Sequence, residues 1–315
     1  MKLALVYEPN DRKLSPVSCS YIYKGMFDAL KKRFLGHVQD VTHSCSAQDI
    51  EADLIFFFDV HSSHDIEIEG VKNHKAVKME YWSDPHQEEI YGTYKQTGTT
   101  IHKRGPRQRV ERVINRGVDF IVSPVRDGFL KYMKPLLGAD AEKLLLWFPP
   151  APSFEAKDIP LKDRKPEVLA NGATWAGDLK CYEFRKWAFA QPCVSFVGHC
   201  LQDSGTPNGQ HYSDLLYNFA GGLALSEYYP VPKYYEMPLA GMVTFVQWHD
   251  EMYDLGFRNF ENCISVHEPN FKAQIESFIN NLESYQHIAS AGQKLVKENY
   301  TAEKFAERIY EEARR

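Results

Sequence analysis

The sequence predicts an α/β chain made of two tandem parallel-sheet domains. Short apolar, β-rich runs alternate with helix-patterned segments, which is the signature of βαβ units. The alternation breaks once, over residues 148–166, where five prolines and no helical period interrupt it, and then restarts. At 315 residues the chain also exceeds what one ordinary core supports. An apolar fraction of 43% with 25% charged residues is that of a globular protein rather than a disordered or membrane-embedded one. No apolar run approaches the roughly 20 residues of a membrane span. The opening MKLALVYEP reads as a strand rather than a leader, so the expected location is cytoplasmic.

In the first half, Leu3–Val6, Val38–Val41, Asp53–Phe58, Ala76–Tyr81, Phe120–Val122 and Leu144–Trp147 read as strands. Ile22, Met26, Leu30 and Phe34 recur every four residues and place a helix over 21–34. A basic helix is expected over Arg109–Asn115. In the second half, Glu167–Ala170, Val194–Val197, Gly222–Ser226, Val243–Val246 and Cys263–Val266 are the strand candidates. Between them fall helices near 181–190, 212–219, 233–240 and 250–255. Pro232 suits the first turn of the 233–240 helix and Gly241 its end. Beyond residue 270 the pattern is helical, with Asn270 and Thr301 as candidate N-caps. The domains are therefore expected at 1–150 and 167–300, joined by a linker at 151–166 and followed by a helix at 301–315.

The six cysteines, Cys19, Cys45, Cys181, Cys193, Cys200 and Cys263, show no CxxC and no metal-ligand spacing. A reducing compartment without a zinc site is expected. Net charge is −5, yet the stretch from Lys95 to Arg116 carries seven cations against Glu111 alone. Such a run is first a solvated face. Its arginine content also makes Arg104 and Arg107, with Arg126, candidate contacts to an anionic or phosphate-bearing acceptor. A sequence pI of about 6.2 argues against strong non-specific affinity for DNA.

Ligands of open parallel sheets bind outside the carboxyl ends of the strands, so the strand exits are where chemistry is sought. In the second half these carry Gly172 and Thr174, then Gly198 and His199, then Ser226, Glu227 and Tyr228. Glycine there lets backbone N–H groups approach a phosphate, although ordinary turn chemistry explains it equally well. Arg185 and Lys233 are the cations for a diphosphate, and Glu236 is the acid for paired sugar hydroxyls. In the first half the exits offer Asp84 and His61 as candidate general bases. Asp59-Val60-His61 is the nearest approach to a DxD and holds one acid.

The ordered set Ser226, Pro232, Lys233, Tyr235, Glu236 and Leu239-Ala240-Gly241 is followed by Gly256-Phe257, Asn262, Thr301 and Arg308. It resembles the carboxy-terminal half of GT-B glycosyltransferases of the group-one type, similar to the bacterial spore-maturation glycosyltransferases. The resemblance spans roughly the last hundred residues, a domain-sized match. It implies two Rossmann-like domains facing across a cleft, with the C-terminal helices packing back on the first. It implies a nucleotide-diphosphate sugar, with a UDP-sugar favoured, held by the second domain. Gly172, Thr174, Arg185, Gly198, His199, Ser226, Tyr228, Lys233 and Glu236 would contact it. Glu236 matches the acid that binds the donor ribose. The family's paired glutamates have seven residues between them, whereas Glu227 and Glu236 have eight, which leaves the role of Glu227 open. No metal or cofactor is expected, because cationic side chains and helix ends stabilise the leaving diphosphate. The acceptor is a hydroxyl on a saccharide, a cell-surface polymer or a phosphate-bearing molecule such as modified DNA. Two alternatives share the architecture: a nucleotide-sugar 2-epimerase and a non-catalytic sugar-nucleotide or glycan-binding module.

Overall fold

A computed structural model describes residues 1–9, 14, 21–59, 66–82, 106–174, 182–198, 209–227 and 229–315. The chain divides into two compact units, residues 1–15, 23–149 and 305–315 in one, 16–22 and 150–304 in the other.

Unit 1 carries β1 (Leu3–Val6), β2 (Val38–Val41), β3 (Cys45–Ser46), β4 (Leu54–Asp59), β5 (Ile68–Glu69), β6 (Val77–Trp82), β7 (Phe120–Ser123) and β8 (Leu145–Trp147). Six of them form a parallel sheet in the order β2-β1-β4-β6-β7-β8, while β3 and β5 pair apart as a short parallel ribbon. Around them run α1 (Tyr21–Arg33), α2 (Pro106–Arg116), α3 (Arg126–Leu137) and α4 (Asp140–Leu144). The run LIFFFD of β4 is apolar on both sides because both sheet faces are covered. Ile55 and Phe57 pack with Ile66, Ile68 and Val71 around the ribbon. On the opposite face Phe56 meets Phe305, which also packs on Tyr81 and Phe148. The C-terminal helix therefore does pack back on the first sheet.

Unit 2 holds β9 (Lys165–Asn171), β10 (Ser195–Val197), β11 (Phe219–Ala224), β12 (Val243–Val246) and β13 (Ile264–Ser265), all parallel, in the order β10-β9-β11-β12-β13. Its helices are α5 (Glu183–Phe189), α6 (Tyr212–Tyr217), α7 (Lys233–Leu239), α8 (Glu251–Asp254), α9 (Glu268–Asn280) and α10 (Gln286–Asn299). α11 (Ala302–Glu312) then leads into unit 1. Among the described residues no helix is long and apolar enough to cross a membrane.

Three local expectations change. β11 begins at Phe219, because the run FAGGLA is buried from its first residue and the preceding helix stops at Tyr217. Asn270 is not the N-cap of α9: the helix begins at Glu268, and the Asn270 side chain instead accepts the His267 N–H at 2.9 Å. Thr301 does act at its helix start, its hydroxyl accepting the Lys304 N–H at 3.4 Å. The proline-rich segment expected as a linker is packed chain of unit 2. Leu161 is fully buried, and its N–H donates to Gln286 Oε1 at 2.8 Å. The Arg164 guanidinium donates to the carbonyls of Ala240 at 2.7 Å and Phe219 at 3.3 Å, and burial lowers its pKa to about 10. Prolines break a helical period without preventing burial.

The basic helix α2 turns much of its charge inward. Glu80, fully buried on central strand β6, accepts from Arg112 Nη2 at 2.8 Å, Arg116 Nη1 at 2.9 Å and Trp82 Nε1 at 2.7 Å. Arg109 is buried as well, its guanidinium carbon 5.4 Å from the Trp82 ring centre. Burial pushes the Glu80 carboxyl up, but the two guanidiniums and the indole donor outweigh it and hold the pKa at about 2. A depressed carboxylate contributes stability in full above its unfolded pKa of roughly 4.3, and that contribution is lost as pH falls through the folded value. Glu80→Gln leaves two guanidiniums around a neutral amide. It is expected to cost about 3–5 kcal/mol in urea denaturation at neutral pH, with a smaller difference from wild type near pH 3. A cost below about 1 kcal/mol would contradict the ion-pair account.

Candidate functional site

In unit 2 the connections diverge between β9 and β11: β10 lies on one side of β9, while β12 and β13 lie beyond β11. A crevice outside the carboxyl ends opens at such a switch point. Its walls are the exit of β9, Asn171-Gly172-Ala173-Thr174, and the exit of β11, Leu225-Ser226-Glu227. Arg185, on α5, links the two. Its Nε donates to Leu225 O at 2.8 Å and its Nη1 to Ala173 O at 3.3 Å, and Nη2 also reaches Leu225 O. The guanidinium carbon stacks 3.8 Å from the Tyr182 ring centre. The positive charge is thus held at the crevice by carbonyl dipoles and an aromatic face.

Lys233 enters from the first residue of α7, the helix that follows β11. Gly222 admits this helix close to the sheet, since a Cβ there would lie 2.7 Å from Met237 Sδ. Lys233 Nζ donates to the Tyr212 hydroxyl at 2.8 Å and to Asn171 Oδ1 at 3.1 Å. Tyr212 donates in turn to Asn171 Oδ1 at 3.2 Å, and the Asn171 amide donates to the Gly198 carbonyl at 2.9 Å. Gly172 stands between the two cations at φ +140°. A Cβ there would meet Lys233 Cε at 3.2 Å and Arg185 Nη1 at 3.8 Å. Only glycine has both the backbone freedom and the missing side chain that this approach requires.

One turn beyond Lys233, Glu236 is buried, and among the described residues its carboxylate has no hydrogen-bond partner. Burial pushes its pKa above the usual carboxylate range, and the Lys233 charge offsets this only in part. Ser226 is 1% exposed, and its hydroxyl likewise has no partner among the described residues. The Glu236 acid, within the field of Lys233, and the buried Ser226 hydroxyl are polar groups suited to a polar ligand.

The structure therefore brings together Gly172, Arg185, Gly198, Ser226, Lys233 and Glu236, with Thr174 half-buried on the same exit loop. Glu227, at the exit of β11, also supports the scaffold, while its Oε2 is buried with no partner among the described residues. One of its carboxylate oxygens accepts the Phe184 N–H at 2.8 Å at the start of α5, and burial raises its pKa. Asn171 and Tyr212 are site residues that sequence reasoning missed. Asn171 reads as a loop breaker, and only strand pairing shows that it closes β9. Among the acceptor candidates, Arg107 is exposed on α2, whereas Arg126 donates to Asp127 Oδ1 at 2.8 Å and lies over the Trp147 ring. Asp84, His61, His199, Tyr228 and Arg104 lie outside the described residues.

Comparison of the sequence with protein-family profiles finds no match, and none is found among curated proteins. Solved structures do match in shape. Anabaena Alr3699/HepE, in complex with UDP-glucose, superposes with a TM-score of 0.56 at 13% identity over 99% of both chains. An alpha-glucosyltransferase in complex with UDP and a 13-mer DNA containing an HMU base gives 0.58 at 11% identity over 100% of both. Sucrose-phosphate synthase from Thermosynechococcus elongatus gives 0.56 at 11%, covering 100% of this chain and 98% of its own. The chain has the GT-B fold. The likeness spans both units of this GT-B chain, well beyond the last hundred residues that carry the sequence resemblance.

Replacing Arg185 by lysine keeps the charge but leaves at least one of the Ala173 and Leu225 carbonyls without a donor. A loss of about 1–3 kcal/mol in urea denaturation is expected. Wild-type stability in Arg185→Lys would show that the guanidinium does not tie the exits together.

Proposed function

We propose that the protein is a glycosyltransferase that takes a sugar from a UDP-sugar bound in unit 2 and passes it to an acceptor hydroxyl. The observation that carries this reading is the convergence of Gly172, Arg185 and Lys233 beside buried, unpartnered Glu236. The Gly172 turn lets a diphosphate approach the backbone, and Lys233 Nζ exchanges a neutral partner for a phosphate oxygen. Arg185 adds positive charge from beneath. As the bond from the anomeric carbon to the diphosphate breaks, negative charge grows on the leaving oxygens, and these cations stabilise it in place of a metal ion. Glu236 accepts the two ribose hydroxyls, while Ser226 completes the wall. The acceptor oxygen attacks the anomeric carbon and loses its proton to a base, for which Asp84 and His61 are the proposed residues. Two of the matched structures support the choice of nucleotide, since Alr3699/HepE is in complex with UDP-glucose and the alpha-glucosyltransferase with UDP and DNA. Cytoplasmic location is part of the same proposal.

Full-length protein at a UDP concentration about 100 times the dissociation constant should gain roughly 2.7 kcal/mol of stability, with smaller shifts for ADP, GDP and TDP. Absence of any nucleotide-dependent shift would overturn the reading. Glu236→Gln separates binding from folding. It removes a desolvated acid, so the fold should be at least as stable. Loss of two charge-assisted acceptors should weaken UDP by tenfold or more, since about 1.4 kcal/mol is a factor of ten. Unchanged UDP affinity would remove Glu236 from the site. The pH dependence has a definite sign. Ribose hydroxyls favour the ionised carboxylate, so affinity is full above the raised Glu236 pKa of the free protein and falls as pH drops through it. Titration of UDP affinity by calorimetry reads this directly, and Glu236→Gln should flatten it.

A further inference from the structure

We propose that unit 2 carries a further ligand site, an aromatic platform on the loop between α8 and β13 that stacks a neutral saccharide without a nucleotide. The loop, residues 255–263, leads into the amino end of β13, whereas the donor crevice opens at the carboxyl ends of β9 and β11. Backbone strain marks it out. Phe260 has φ +62° and, among the described residues, is the one non-glycine residue in the left-handed region. A bulky side chain is disfavoured there, because its Cβ crowds the following carbonyl oxygen. Such a conformation persists where the surrounding bonds dictate it. Here they do: the Phe260 N–H donates to Cys263 O at 2.8 Å, and Asn262 bridges the turn. Asn262 Oδ1 accepts the Arg258 N–H at 2.8 Å, and its Nδ2 donates to Gly256 O at 2.9 Å. Asn259 Oδ1 accepts the Ser265 N–H at 2.8 Å and ties the turn to β13. Core packing does not account for the strain, since Phe260 is 48% exposed.

A second exposed ring belongs to the same platform. Tyr253, on α8, is 59% exposed although the Arg258 guanidinium carbon lies 3.8 Å from its ring centre. Arg258 Nη1 donates to Tyr253 O and to Phe257 O, both at 2.7 Å, which fixes the guanidinium against the ring. Its Nε and Nη2 carry three more N–H groups, and none of these makes a hydrogen bond among the described residues. Phe260 follows two residues after Arg258, no more than about 7 Å along the chain. Two rings and a set of donors are therefore held rigid before any ligand arrives, which lowers the ordering cost of binding. The surroundings select the ligand. Over residues 250–262, Asp250, Glu251, Asp254 and Glu261 stand against Arg258 alone, and Asp250, Asp254 and Glu261 are exposed. That excess of acid repels nucleic acid and anionic membranes. A protein partner buries a patch whose centre is poor in charge, whereas here a guanidinium separates the two rings and carboxylates flank them. A sugar ring suits both features. Its C–H face packs on an aromatic ring, while its hydroxyls accept from the guanidinium and donate to the carboxylates.

The test is retention of the full-length protein on an array of neutral and anionic oligosaccharides without nucleotide, for wild type, Phe260→Gly and Tyr253→Ala. Glycine adopts the left-handed region freely, so Phe260→Gly removes the ring and the strain together. Its urea midpoint is expected at or above the wild-type value. Wild type should be retained on one or more neutral oligosaccharides, with retention falling tenfold or more in each variant. The UDP-dependent stability shift should stay at its wild-type value, which separates this site from the donor crevice. Retention without nucleotide is read whether or not UDP binds, so failure here and failure of the donor-site reading are distinct results. No retention on any neutral oligosaccharide, retention on anionic ones alone, or equal retention by Phe260→Gly would overturn the proposal. So would a lowered urea midpoint in Phe260→Gly, which would assign the ring to packing. Dimerisation of the wild type that Phe260→Gly abolishes would also overturn it, by making the rings a contact between copies.

Discussion

A positive charge fixed in the interior of unit 2 by carbonyl groups is the constraint on which the site depends. Arg185 has no ion-pair partner among the described residues. It is held by Leu225 O and Ala173 O, and these belong to the two strand exits between which the crevice opens. Each carbonyl would otherwise be a buried acceptor in need of a donor. The same bonds that satisfy the backbone therefore set the geometry of the crevice and leave a cation beneath it. Positive charge at the crevice and structural support come from one side chain.

The remaining site follows from this frame by short steps. A glycine at φ +140° is needed where a Cβ would come against both Lys233 and Arg185. Lys233 starts the helix after β11, so Glu236 stands one turn further in, on the buried side. Its raised pKa and missing partner are a cost to the folded protein that a ligand with paired hydroxyls would relieve. Unit 1 solves the burial of charge in the opposite way. Glu80 is saturated with donors, its pKa lies at about 2, and its arginines stabilise the sheet. One buried acid is complete and structural, the other incomplete and available.

Much of this was legible in the sequence. The two sheets follow from the alternation of apolar runs with helical periods, and β1, β2 and β12 fall on the expected residues. The strand-exit rule pointed to the loop of Gly172, beside which Arg185 and Lys233 stand, and the order of motifs around Glu236 pointed to the fold. What stayed hidden is long-range pairing. Glu80 sits in VKMEYW, where an acid reads as the solvent side of a strand, and its partners stand 32 and 36 residues later. The same pairing explains why α2 looked like a solvated basic face. Asn171 and Tyr212 bond each other and Lys233 across separations of 41, 62 and 21 residues. Glu227 could not be assigned by spacing, because its partner is a backbone N–H at the start of another helix.

The most direct measurement is a crystal structure of the full chain with UDP. The account predicts diphosphate oxygens against the Gly172 turn and Lys233 Nζ, with the ribose hydroxyls on the Glu236 carboxylate. UDP bound away from the exits of β9 and β11, or bound there with its ribose turned from Glu236, would contradict it.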